Sequence, residues 1–145
     1  MKIKLKNQSG TAIVEFAIIF PITMLLFFGI VEFGLMLFDK AVITNASREG
    51  ARAGIVSRPP GEDLTNDEIR GVVKSYCNNY LVWNRTINDG DIDVTRRTDP
   101  IANWPELVVV VRYQYDFIGL PAFMTGPFGP IVLRAWTIMK MENNT

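Results

Sequence analysis

The sequence predicts an α+β protein: one long amino-terminal helix that leaves a membrane and continues into a small domain of one helix and roughly three antiparallel strands. Three observations predict it. Apolar residues crowd between Phe16 and Phe38, although the overall hydrophobic content of 48% is ordinary for a soluble chain. A capping box at Thr65 and Glu68 opens a run of apolar residues at helical spacing. The last third alternates β-rich stretches with Gly- and Pro-rich turns.

The first element starts behind a short basic leader. Lys2, Lys4 and Lys6 precede Gly10 with no acid among them, and Phe16 to Val31 carries no charge. That run is slightly shorter than the ~20 residues a spanning helix uses. With its flanks, Thr11 to Phe38 is interrupted only by Glu15 and Glu32. At about 1.5 Å per residue the two glutamates stand roughly 25 Å apart, close to the ~30 Å of a hydrocarbon core, so each sits near one interface. The lysines predict an amino end in the cytoplasm and a chain that lies outside beyond Phe38. A secretory signal peptide fits poorly, because no small-x-small cleavage site follows Val31 promptly. Glu32 reads either as a boundary residue or as a polar contact inside a helical assembly. Pro21 removes one backbone donor and loosens the helix, which membrane helices tolerate.

The helix is expected to run on through "NASREGARAGIV" and to stop at Pro59-Pro60-Gly61. Ala46, Gly50, Ala53 and Gly54 form a stripe of small residues there, a face that another backbone can approach closely. It serves either to dock the helix on its own domain or to pack other subunits, or both. Arg48, Glu49 and Arg52 lie on other faces, with Glu49 in reach of Arg52.

Beyond Gly61 the pattern is that of a soluble domain. Ile69, Val72, Val73, Tyr76, Cys77, Tyr80 and Leu81 predict a helix over about 67–82 with Cys77 on its buried face. "DIDVT", "ELVVVVRYQYDF" and "IVLRAWTIMKM" predict the strands. Asp89-Gly90, "TDPIANWPE" and "GLPAFMTGPFGP" supply the turns. The last of these carries Leu120, Phe123, Met124 and Phe128 and is expected to pack on the sheet, on the membrane or on a neighbour.

Composition excludes several function classes. Fifteen basic and fifteen acidic residues give no net charge, and no concentrated basic face for nucleic acid is present. There is no histidine, and the single Cys77 cannot form an internal disulfide. No phosphate loop, dinucleotide glycine pattern or activated nucleophile is found, so no catalytic residue, cofactor, metal site or small-molecule substrate is expected. The acids of "NDGDID" lack the downstream Glu of a calcium loop and read as a solvated turn.

A Lys-rich leader, Gly10, then Glu15 and Phe16 at the fifth and sixth positions after it, leading into an apolar helix, resembles the processing site of type IV prepilin-like proteins. The resemblance sharpens with Pro21, the second Glu-Phe-Gly at Glu32 and the Arg48-Glu49-Gly50-Ala51-Arg52 stretch. Together they look like the TadE-like family, the minor pseudopilins of the tight-adherence pilus. It covers residues 9 to 56 well and agrees again at the Tyr-x-Tyr strand and the closing "TIMKME". What it implies is a pilin-like fold and a prepilin peptidase that cuts between Gly10 and Thr11.

It also implies assembly with other pilin-type subunits and the inner-membrane platform, and a location in the cytoplasmic membrane or an extracellular pilus. The expected organisation is a leader over 1–10, a transmembrane and extended helix over 11–58 and an extracytoplasmic domain over 59–145. Removal of the leader leaves twelve basic and fifteen acidic residues, a net charge of −3. After the cut, Glu15 can neutralise the new ammonium of Thr11 or that of a neighbour, an arrangement that offsets the cost of burying either ion. A helix-dipole role for Glu15 needs no processing. The contrasting readings are an uncut membrane-anchored accessory subunit of a secretion machine and, from a different class, a membrane-tethered hydrolase.

Overall fold

The structure, a computed structural model, describes residues 9–56, 63–119, 126 and 129–141. Helix α1 runs over Ser9–Ile55 and α2 over Asn66–Tyr80; short 3-10 turns at Val82–Asn84 and Asp89–Asp91 lead into β1 (Ile92–Thr98), β2 (Pro105–Tyr115) and β3 (Ile131–Lys140). This is the α+β arrangement the sequence predicts. The leader, the Pro59-Pro60-Gly61 stop and the apolar residues of 120–125 and 128 lie outside the described residues.

Helix α2 begins where the capping box predicts. The Thr65 hydroxyl accepts from the Glu68 amide while the Glu68 carboxylate accepts from the Thr65 amide, which pairs two otherwise orphaned donors. It ends at Tyr80, two residues before the sequence-based boundary, because Leu81 is already extended. Its inward face is Ile69, Val73 and Cys77, all fully buried.

The strands form one antiparallel sheet in the order β1-β2-β3. Period-two alternation sorts its faces. Leu107, Val109, Val111, Tyr113 and Tyr115 of β2 point into the core with Ile92 and Val94 of β1 and Ala135 of β3. Val132, Arg134, Trp136 and Ile138 of β3 point away from the helices and are exposed. Among the described residues the sheet is thus covered on one face, by α1 and α2.

The carboxyl-terminal half of α1 supplies much of that cover. From Glu32 onward, burial recurs at Asp39, Val42, Ile43, Ala46, Ser47, Gly50 and Ala51, a stripe at the 3.6-residue period. Gly54 lies beside Leu107 near the start of β2, and Glu32 lies beside Tyr115 at its end. Strand β2 therefore runs antiparallel to α1, and its last residues come down to where the helix becomes apolar on every side.

Candidate functional site

Two zones of α1 concentrate the residues that the sequence singles out. The first spans Gly10 to Val31 and contacts almost nothing. Ile13, Phe16, Ile19, Phe20, Leu26, Phe27 and Ile30 are exposed around the whole circumference, and an 18-residue window has a mean hydropathy of 2.4 with none of it buried. A helix apolar on every side and partnered by no protein is one built for hydrocarbon. One helix of this kind is found among the described residues, as fits a single-pass membrane protein.

Gly10, Thr11, Glu15 and Phe16 all lie exposed on the first turns of this helix. Glu15 has no hydrogen-bond or ion-pair partner among the described residues. Pro21 sits inside the helix without ending it. Close by, the Thr23 hydroxyl donates to the Ile19 carbonyl at 3.0 Å, a local back-bond of the kind that accompanies helix bending.

The second zone opens at Glu32, which is 4% exposed. One carboxylate oxygen accepts from the Tyr115 hydroxyl at 2.9 Å and from the Ile118 amide at 2.7 Å. The other accepts from the Gly119 amide at 2.9 Å. Three donors on a buried carboxylate satisfy it as an anion. The polar contact is made by the chain's own domain, at the end of β2 and the loop that follows. Burial, then the bond to Glu32, raises the Tyr115 hydroxyl pKa above the usual tyrosine range.

Seven residues further along the same helix face is Asp39, 1% exposed, which the sequence reading did not single out. It accepts from the Val82 amide at 3.1 Å and stands beside the Tyr113 hydroxyl. Arg85 stands beside it, donating to the Tyr113 hydroxyl at 3.4 Å and to the Asp116 carbonyl at 3.0 Å. Burial outweighs these partners and raises the Asp39 pKa. Tyr113 and Tyr115, on one face of β2, thus pair with Asp39 and Glu32, on one face of α1. The signal available was an acid at i and i+7 on the helix matched by Tyr-x-Tyr on the strand.

The small-residue stripe faces inward as well. A Cβ on Gly54 would lie 2.5 Å from Leu107 Cδ2 and 2.6 Å from Ile69 Cδ1, and one on Gly50 would overlap Val73 Cγ2. Ala46 is fully buried. The stripe lets α1 approach α2 and β2 of the same chain closely. Arg48 and Arg52 are exposed, and Arg52 pairs with Glu49 at 2.6 Å. Neither this patch nor the Glu32 cluster converges on the Gly10–Phe16 segment.

Nothing in the described residues assembles a metal-binding group of three or more His, Cys, Asp or Glu. Cys77 is fully buried, and burial pushes its thiol up to about 11. No curated protein and no solved structure matches this chain. Residues 10–52, which take in the first zone of α1 and most of the second, match the TadE family model, described as TadE-like protein, and this match suggests a Tad pilus-associated protein.

Proposed function

We propose that the chain is a minor pilin or pseudopilin of a Tad-type pilus. In this reading a prepilin peptidase removes the Lys-rich leader between Gly10 and Thr11. The mature protein then takes part in pilus assembly and initiation, and through the pilus in adhesion. Its partners are the peptidase, other pilin-type subunits and the inner-membrane platform. It acts through association rather than catalysis, anchored in the cytoplasmic membrane with residues beyond Phe38 outside.

One observation carries the reading: the family match begins at Gly10, at the head of a helix that is exposed and apolar on every side and whose only charge before Glu32 is Glu15. A cut at Gly10 would place a new ammonium at Thr11, four residues before Glu15. On a helix, residues four apart are neighbours, so the carboxylate reaches its own amino terminus or that of an adjacent subunit. Inside hydrocarbon such a pair offsets a cost that either ion alone would carry. The exposed helix surface then remains available to other pilin-type helices.

A second reading, an uncut accessory subunit of an envelope secretion machine, draws support from a different fact. Glu32, Gly50 and Gly54 are engaged by the chain's own domain, which reserves that half of α1 for intramolecular packing. The amino-terminal sequence or intact mass of the protein from its native membrane decides between the two. A terminus at Thr11 supports the pilin. An intact leader, in cells whose prepilin peptidase is active, overturns it in favour of the accessory subunit.

A further inference from the structure

The apolar surface of α1 has a definite upper end. Leu37 and Phe38 are its last exposed large apolar residues in that stretch, each about half exposed, and Asp39 and Lys40 follow. The 27 steps from Thr11 to Phe38 cover roughly 40 Å, which is the thickness of a bilayer with its head groups. The height of Asp39 and Lys40 is therefore the height of lipid phosphates in the leaflet from which the helix emerges.

Hydrogen bonds fix what else lies at that height. Tyr113 reaches Asp39, so its strand neighbour Arg112 is level with it. The Lys40 ammonium donates to the Arg134 carbonyl, and Arg134 is the register partner of Arg112. Both guanidinium groups belong to the outer, helix-free face of the sheet. Like charges directly opposite one another across two strands repel. Neither side chain has an ion-pair or hydrogen-bond partner among the described residues, and Asp93, an acid of the same face, pairs in register with Val110 instead.

A third group lies at this level. Val82 donates to Asp39, and the next residue, Trp83, is 70% exposed with φ of 63°, a left-handed conformation rare for a bulky residue. An exposed tryptophan at the head-group level is the arrangement seen in membrane-interface belts.

We propose that Arg112 and Arg134 form a clamp for the phosphate of anionic phospholipid head groups, with Trp83 as an aromatic contact at the same depth, so that the domain rests on its own leaflet. Guanidinium forks bind phosphate oxygens in pairs and their alkyl stems reach downward to the interface. A phosphate between the two arginines removes their mutual repulsion. The proposal rests on α1 spanning the membrane and is independent of leader processing.

The test uses the full chain reconstituted into nanodiscs of phosphatidylcholine with a minor fraction of phosphatidylglycerol. Insertion is checked by protease protection of α1, and the lipids retained on release are counted by native mass spectrometry. Wild type is expected to enrich phosphatidylglycerol by about fivefold per arginine, the factor a cation near an anionic surface supplies. Arg112→Gln with Arg134→Gln brings retention to parity, whereas Arg112→Lys with Arg134→Lys keeps most of it.

An inserted wild type without enrichment, or a glutamine variant that keeps it, overturns the proposal alone. A chain that fails to insert overturns the anchor reading as well. Displacement of the lipid by millimolar inorganic phosphate makes this a free-anion site and overturns the lipid source. If the glutamine variant retains lipid normally but loses association between copies, the pair is a protein contact and the clamp is rejected.

Discussion

Helix α1 is one unbroken element in two solvents. Over Gly10 to Val31 its apolar residues point in every direction and, apart from Phe28 beside Gly119, meet almost nothing else among the described residues. From Glu32 to Ile55 burial recurs with the helical period and the buried side packs on α2 and the sheet. Composition alone would make the first half the better core and the second half, with its acids, glycines and serine, the poorer one. The contrast teaches that in the second half packing depends on close approach and on satisfied polar groups. In the first half it depends on neither, because the described residues supply almost no partner.

The sharpest way to break this comparison is to remove the same carboxylate from each half. Glu32→Ala removes the side-chain acceptor of the Tyr115 hydroxyl and of the Ile118 and Gly119 amides, and leaves Tyr115 only the long contact to the residue-32 carbonyl at 3.4 Å. Tyr115 is fully buried, Ile118 half-buried and Gly119 exposed, so at about 1–3 kcal/mol for a buried orphan the loss is expected to reach about 3 kcal/mol. Glu15→Ala, exposed and without a partner among the described residues, is expected to leave stability unchanged within about 0.5 kcal/mol. Thermal unfolding of the full chain in one detergent compares them. Equal effects would mean that Glu32 is no more committed to the domain than Glu15.

Glycine substitution is the next largest contrast. Leucine at Gly54 drives side-chain atoms into Leu107 and Ile69, and overpacking of this kind costs about 1–3 kcal/mol. Leucine at Gly34, which has nothing within 4 Å of its Cβ position, is expected to be neutral or to stabilise α1 by up to about 1 kcal/mol through helix propensity. The same unfolding measurement reads both. A Gly34→Leu variant as unstable as Gly54→Leu would place a close neighbour where the fold has none.

Much of this was legible in the sequence, and the reasons for the rest are physical. The Thr65 and Glu68 box located α2 because a cap is a local interaction four residues long. The strands were legible because alternation is local too, although β1 extends to Thr98 beyond the short "DIDVT". The small stripe at Gly50 and Gly54 announced a close approach, but α2 as its partner is a fact of tertiary structure. Glu32 gave away its unusual place and not its contacts, since Tyr115 and Gly119 are more than eighty residues away. Asp39 was passed over because, beside Lys40 and just past the apolar run, it resembles an ordinary surface acid. The seven-residue spacing from Glu32 was the only local sign that both share a face.

A smaller contrast concerns pH. Burial raises the Asp39 carboxyl above its ordinary value of 3.8. An acid whose folded pKa lies above its unfolded one favours folding fully only below the unfolded value, and this contribution is lost as pH rises through the folded value. Glu49, lowered by the Arg52 pair, and Asp99, lowered by the Ala102 and Ile101 amides, act in the opposite sense. The Asp39 contribution therefore appears as a difference. As pH rises from below the ordinary value of 3.8 through the raised folded value, the wild type is expected to lose stability relative to Asp39→Asn. A difference that does not vary with pH would mean that Asp39 titrates as an ordinary carboxylate.

Cys77 gives the finest reading of the packed half. Its thiol is fully buried on α2 against α1, and burial pushes it up to about 11, so at pH 8 it is neither accessible nor ionised. Maleimide labelling must then wait for α2 to lift from α1, and its rate follows the equilibrium population of that opening. A destabilisation of about 2 kcal/mol by Gly54→Leu raises that population roughly 30-fold, whereas Gly34→Leu, on the open side of α1, leaves it unchanged. Labelling that is fast in the wild type, or that responds equally to both variants, would mean that the contact between α1 and α2 is not what protects the thiol. A response to Gly54→Leu alone would locate the protection in the close approach that the glycine permits, on the half of α1 that belongs to the domain.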